Sequence, residues 1–274
     1  MAWTHHPGCL ELCLSLLCAV AFAGRAAPSR DGGLRAELLR LSQRRIFFGH
    51  QSVGMNLLEG VRDIAARYPD LRFRVIDASG DADLGPGTFA HAFMPENGNP
   101  ALKLESFERA LSSGAGSAAD IALLKFCYVD FSSGTDAPGL FARYQAVLNE
   151  LRNRHPRTVF VHVTAPLTTV GGGAKAALKR FLGRAPPGLL ENAKREAFNQ
   201  LMRDRYAGEQ PLFDLARLES TGADGHRELY DWNGSKIPAL LAAYTDDGGH
   251  LTPDARVRFA RELIALLASL PEVP

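Results

Sequence analysis

Near the C-terminus, Asp247-Gly248-Gly249-His250, followed by Leu251-Thr252-Pro253, sets a carboxylate and an imidazole on one short glycine turn. The carboxylate can accept a bond from one ring nitrogen and fix the tautomer, so that the other nitrogen is free to take a proton. A candidate donor of that proton is Ser52, in the run Gly49-His50-Gln51-Ser52-Val53-Gly54 near the other end of the chain. Serine is a poor nucleophile at its free pKa and needs a base within hydrogen-bond reach. Its place at the start of a helix adds unpaired backbone N–H groups that can stabilise an oxyanion. Taken singly, the serine could be a helix cap and the glycine pair an ordinary turn. Together they describe a nucleophile, a base and an orienting acid.

The elements that must bring these residues together follow from periodicity. Leu34 to Leu41 predicts a helix and Arg45 to Phe48 a strand; after Ser52, Val53, Leu57, Val61 and Ile64 recur at helical spacing until Pro69. Leu71 to Asp77 predicts a second strand, and Ala78 to Asn99, rich in Gly, Asp, Asn and Pro, a long loop. Lys103 to Leu111 predicts a helix. Asp120 to Cys127 and Thr158 to Thr164 are near-continuous apolar runs, as in strands buried on both faces. Helices are expected at Leu140 to Leu151 and Leu189 to Tyr206, a short last strand at Leu212 to Leu215, and a final helix capped by Thr252 with Pro253 in its first turn. Alternating strands and helices predict an α/β fold, a parallel sheet covered on both sides, whose chemistry collects at the carboxyl ends of the strands. Ser52, Cys127 to Asp130, Thr164 to Leu167 and Asp214 all fall at that edge. His162, inside a strand, is expected to be a satisfied core residue.

With Ser52 after the first strand and Asp247-x-x-His250 before the last helix, the chain resembles the SGNH/GDSL hydrolase superfamily, over Arg45 to Leu267. The resemblance implies a three-layer α/β/α sandwich, flavodoxin-like, and hydrolysis of carboxylic esters through an acyl-enzyme. It implies roles for Ser52 as nucleophile, His250 as base and Asp247 as its orienting acid, with no cofactor. Two blocks depart from the family's pattern. Gln51 stands where Gly-Asp-Ser has its aspartate, and Lys125-Phe126-Cys127-Tyr128-Val129-Asp130 replaces Gly-x-Asn-Asp. The oxyanion and substrate contacts then fall to Asn97, Gly98 and Asn99 of the loop Pro95 to Pro100, to His50, and to Tyr128 beside the missing asparagine. The resemblance favours an O-acetylated glycan or a small ester as substrate. A second reading, a non-catalytic carbohydrate-binding or envelope-assembly protein on the same fold, stays open.

A chain of 274 residues, 46% hydrophobic, can bury one substantial core, and residues 34–274 are read as a single domain after a linker at 24–33. The formal net charge of +1 gives no basic field of the kind nucleic-acid binding needs. Residues 1–23 read as a signal peptide ending in Ala21-Phe22-Ala23, so the expected location is secreted or periplasmic. The apolar stretch is too short for a membrane span, which takes about 20 residues. Three of the four cysteines, Cys9, Cys13 and Cys18, lie in this leader, and only Cys127 lies beyond it. No His-Glu-x-x-His or paired-cysteine spacing calls for a metal. Gly171-Gly172-Gly173-Ala174-Lys175 lacks the Gly-Lys-Ser/Thr ending of a phosphate loop and reads as a surface loop before a basic helix.

Overall fold

The computed structural model describes residue 1 and residues 30–78, 84–171 and 182–272. Residues 2–23 of the leader, the linker up to residue 29 and most of the glycine-rich and basic segment after Gly171 lie outside the described residues.

Six strands form one parallel sheet: β1 (Arg45–His50), β2 (Arg74–Asp77), β3 (Thr88–Phe93), β4 (Ile121–Leu124), β5 (Val159–Val163) and β6 (Leu212–Phe213), in the order β2-β3-β1-β4-β5-β6. Helices α1 (Arg30–Leu41), α2 (Val53–Ala65), α3 (Pro100–Ser113), α4 (Ala137–Arg154), α5 (Leu189–Tyr206), α6 (Leu215–Glu219) and α7 (Pro253–Ser269) cover it. The two-residue period of the strands sorts the core into two layers. Ile46, Phe48, Phe89, Ile121, Leu123, Val161 and Val163 pack with the apolar stripes of α1, α2 and α7. Phe47, Ala90, Ala122, Leu124 and Phe160 pack on the other face with Leu104, Phe107, Tyr144, Phe198 and Met202 of α3, α4 and α5. The fold is a three-layer α/β/α sandwich. No helix among the described residues is long and apolar enough to cross a membrane.

One expectation fails in a way that matters for the site. The stretch 78–99 is not a loop throughout, because Thr88-Phe89-Ala90-His91-Ala92-Phe93 forms β3, the neighbour of β1, with Phe89 and Ala90 fully buried. Its flanks, Gly85-Pro86-Gly87 and Pro95 to Asn99, carry the turn chemistry that masked a six-residue strand. A second element also goes beyond the sequence reading: β7 (Leu229–Trp232) and β8 (Ser235–Pro238) form an antiparallel hairpin. Its turn, Asn233-Gly234, has φ of +48° and +78°, the left-handed pair that a two-residue hairpin demands. The expected last strand is shorter than Leu212 to Leu215, since Asp214 caps α6 by accepting from the Arg217 N–H, and Leu215 is already helical. His162 is buried as expected, between the Tyr144 hydroxyl at 2.7 Å and the Gln210 amide oxygen at 2.9 Å, with its ring stacked on Tyr206 at 3.6 Å.

The sheet order places the crevice. From β1 the chain runs to β2 on one side, and from β4 it runs to β5 on the other, so connections diverge between β1 and β4. Ligands in open α/β sheets bind at the carboxyl ends of strands at such a point. Ser52 follows β1, and Cys127 and Tyr128 follow β4.

Candidate active site

Ser52 occupies the N-cap position of α2, yet its side chain makes no capping bond. Its Oγ instead lies 3.9 Å from the Cys127 Sγ, across the β1–β4 crevice. The simple capping role is therefore not the one this hydroxyl fills. Glycine at 54 keeps the helix start pressed against the strand end, because a Cβ there would fall 2.5 Å from the His50 Cβ.

The Asp247 turn is built by its own side chain. Asp247 Oδ1 accepts from the backbone N–H of Gly249 at 2.9 Å and of His250 at 2.8 Å, and from the Thr245 hydroxyl at 3.2 Å. Its Oδ2 faces His250 Nδ1 at 2.5 Å. The His250 backbone N–H, then the imidazole, then the Gly249 N–H hold the Asp247 carboxyl well below the usual carboxylate range. With Nδ1 committed to Asp247, Nε2 is the nitrogen left to act as base. The two glycines have separate reasons. Gly248 has φ of +88° and passes so near Thr169 that a Cβ would lie 2.8 Å from its hydroxyl, while its carbonyl accepts from the Thr169 N–H at 2.9 Å. Gly249 makes room for the Tyr128 ring, which a Cβ would meet at 3.1 Å.

Tyr128 joins the two halves of the site. Its ring meets His250 edge-on at 5.8 Å between centroids, and it directly follows Cys127, the contact of Ser52. Arg195 of α5 fixes it from behind, donating from Nε and Nη2 to the Tyr128 carbonyl at 3.1 and 2.9 Å and from Nη1 to the Thr168 hydroxyl at 2.9 Å. Burial lowers the Arg195 pKa to about 10. Asn192 and Asn199 on the same face of α5 bond the backbone of Thr168 and Ala165, so one helix holds the loops after β4 and β5 together. Beneath them burial pushes the Glu219 carboxyl up to about 8 and the Lys125 ammonium down to about 8. Glu219 accepts from the Leu167 N–H at 2.6 Å and so holds the loop after β5.

Ser52, Asp247, His250 and Tyr128 thus gather at one edge of the sheet, although no hydrogen bond joins the Ser52 hydroxyl to His250. The other residues singled out from the sequence divide. His50 is fully buried, its Nε2 3.2 Å from His91 Nδ1 and its Nδ1 3.3 Å from the Gln51 carbonyl, so it supports β1 and β3 and does not face substrate. Burial, with Lys125 and His91 nearby, lowers its pKa to about 3. Gly98 cannot lend its N–H to an oxyanion, because Asp130 Oδ1 takes it at 2.9 Å. The Asn99 side-chain oxygen accepts from the Leu102 N–H at 3.1 Å and caps α3. Asn97 is exposed, with its side-chain oxygen held by the Lys103 ammonium at 3.1 Å. An ammonium only donates, so the Asn97 oxygen must face Lys103 and its NH2 group points away.

Sequence reasoning missed what supports this edge. Lys103 and Asp130, both with fully buried side chains, pair at 2.6 Å, and Asp130 also accepts from the Cys127 N–H at 2.7 Å. This pair ties the 95–100 loop to the turn after β4. The polar residues of α5 offered a signal: Asn192, Arg195 and Asn199 recur on one helical face among Leu189, Phe198 and Met202. A cavity of about 640 Å³ lined by Arg45, Asp120, His155 and Arg157 opens at the amino ends of β1, β4 and β5. It lies on the edge opposite Ser52.

No protein-family model matches the chain, and no curated protein matches it. Solved structures do. A protein from Streptococcus pneumonia named for platelet activating factor is similar at 14% identity and a TM-score of 0.49, over 86% of this chain and 91% of that one. TesA is similar at 12% identity and 0.47, over 81% and 97%, and the lipase/acylhydrolase from Enterococcus faecalis at 14% and 0.39, over 82% and 93%. In the setting of its serine after the first strand and of its Asp-x-x-His before the last helix, within a parallel three-layer fold, the chain resembles the SGNH/GDSL hydrolases.

Proposed function

We propose that this chain is a serine hydrolase of carboxylic esters, of the SGNH kind. One observation carries the reading: the Asp247–His250 pair, closed at 2.5 Å, packs on Tyr128 beside the Cys127 that touches Ser52. The Ser52 oxygen attacks the ester carbonyl while His250 Nε2 takes its proton, and the alcohol leaves with that proton as the carbonyl re-forms. Water then attacks the acyl-serine, giving one proton to His250, and Ser52 regains it as the acid departs. The bond from Ser52 to His250 forms on substrate binding by rotation of the serine side chain, since catalytic contacts often tighten only in the complex. The Asn97 NH2 group, oriented by Lys103, and the Ser52 N–H hold the oxyanion. The protein is exported, its substrate an O-acetyl group on a glycan, and cleavage after Ala23 yields a chain beginning at Gly24.

Turnover of p-nitrophenyl acetate by the purified protein, with Ser52→Ala as control, tests this directly. The variant is expected to fall to background. A second reading draws on the open Ser52–His250 gap and the engaged Gly98 N–H: a carbohydrate-binding protein that retains the fold without turnover. Equal rates for wild type and variant would favour it.

A further inference from the structure

Two distant segments must meet for Ser52 to reach His250, and one side chain spans them with a bond across 195 residues. Asn56 lies one helical turn after Ser52 on α2, its N–H donating to the Ser52 carbonyl at 3.2 Å. Its side-chain Oδ1 accepts the backbone N–H of Leu251, the residue after His250, at 3.0 Å. The same side chain is therefore one turn from the nucleophile and one residue from the base. Farther along, α2 and α7 are clamped by Arg256, which pairs with Glu59 at 2.9 Å and Asp63 at 3.1 Å. At Gly60 the helices approach so closely that a Cβ would lie 2.3 Å from the Arg256 carbonyl oxygen. That clamp joins the helices to each other; the turn bearing His250 is held on its other side by the Thr169 N–H on the Gly248 carbonyl, and the Asn56 bond ties it to α2.

We propose that Asn56 is a positioning residue: by holding the Leu251 N–H it sets the His250 imidazole within reach of Ser52. A shift of about 1 Å in a reacting group can cost about a hundredfold in rate. The assignment rests on the esterase reading, so it is tested by two independent signals. Asn56→Leu keeps the size and removes the acceptor, whereas Asn56→Asp keeps the acceptor. Asn56→Leu is expected to lower kcat at least tenfold on p-nitrophenyl acetate with KM unchanged, and Asn56→Asp to recover most of the loss. Proton NMR cross-relaxation between the His250 and Tyr128 rings, whose centroids lie 5.8 Å apart, needs no turnover; it should be present in wild type and Asn56→Asp and weakened in Asn56→Leu. An inert wild type would sink the esterase reading, and the ring contact would then decide the positioning role alone. An unchanged ring contact in Asn56→Leu, or an Asn56→Asp variant as impaired as Asn56→Leu while thermal unfolding stays like wild type, would overturn it.

Discussion

At the scale of single residues, the acid–base half of the site needs little from the rest of the molecule. Asp247 organises its own turn through two backbone N–H groups and then presents its second oxygen to His250. This half was legible in the sequence because the spacing of aspartate, two glycines and histidine is local. The oxyanion half was not, because it depends on where an N–H points once the chain has folded. Gly98 carried the right residue type, but the buried Asp130 takes its N–H. The proposed mechanism then leaves Asn97 as the side-chain donor. Asn97→Ala is expected to lower kcat on p-nitrophenyl acetate by about a hundredfold with little change in KM, the size seen when one oxyanion donor is removed. An unaltered kcat would remove Asn97 from the mechanism.

At the scale of elements, the α2–α7 pair joins the helix that follows Ser52 to the helix that follows His250, the nucleophile and base we propose. Gly60 marks their closest approach, and an added methyl would meet the Arg256 backbone at 2.3 Å. Gly60→Ala is expected to cost roughly 1–3 kcal/mol in urea unfolding, as overpacking a tight interface does. Turnover should fall with it, and a variant as stable and active as wild type would show that the helices do not need this contact. The helices themselves could be read from apolar spacing, as could β1, β4 and β5, whose burial on both faces gives unbroken apolar runs. β3 could not, because its strand of Thr, Ala, His and Phe is short and flanked by glycine and proline, and only its place beside β1 makes His91 an interior residue. The β7–β8 hairpin was readable in principle, since Asn233-Gly234 is a strong two-residue turn signal between alternating residues.

At the scale of the whole molecule, buried ionisable groups set the pH range of stability. Burial lowers the His50 pKa to about 3 and the His162 pKa to about 4, and it lowers His91 as well. His50 and His162 stay neutral in the fold while the unfolded chain takes up protons near pH 6.5, so unfolding binds protons on acidification. Each of these two therefore contributes a loss of roughly 1 kcal/mol per pH unit as pH falls below about 6.5. Glu219, raised to about 8, acts oppositely between its unfolded value and 8, one proton against the two of His50 and His162. Urea midpoints are expected to fall from pH 6.5 to pH 5, and a flat profile would show that the histidines titrate freely. The same long-range order brings the serine after β1 to the histidine before α7, and this convergence is the central claim. Reaction with a fluorophosphonate, followed by peptide mass mapping, tests it most directly. The account predicts one adduct, on Ser52, formed slowly or not at all in His250→Ala; no adduct, or one on another residue, would contradict it.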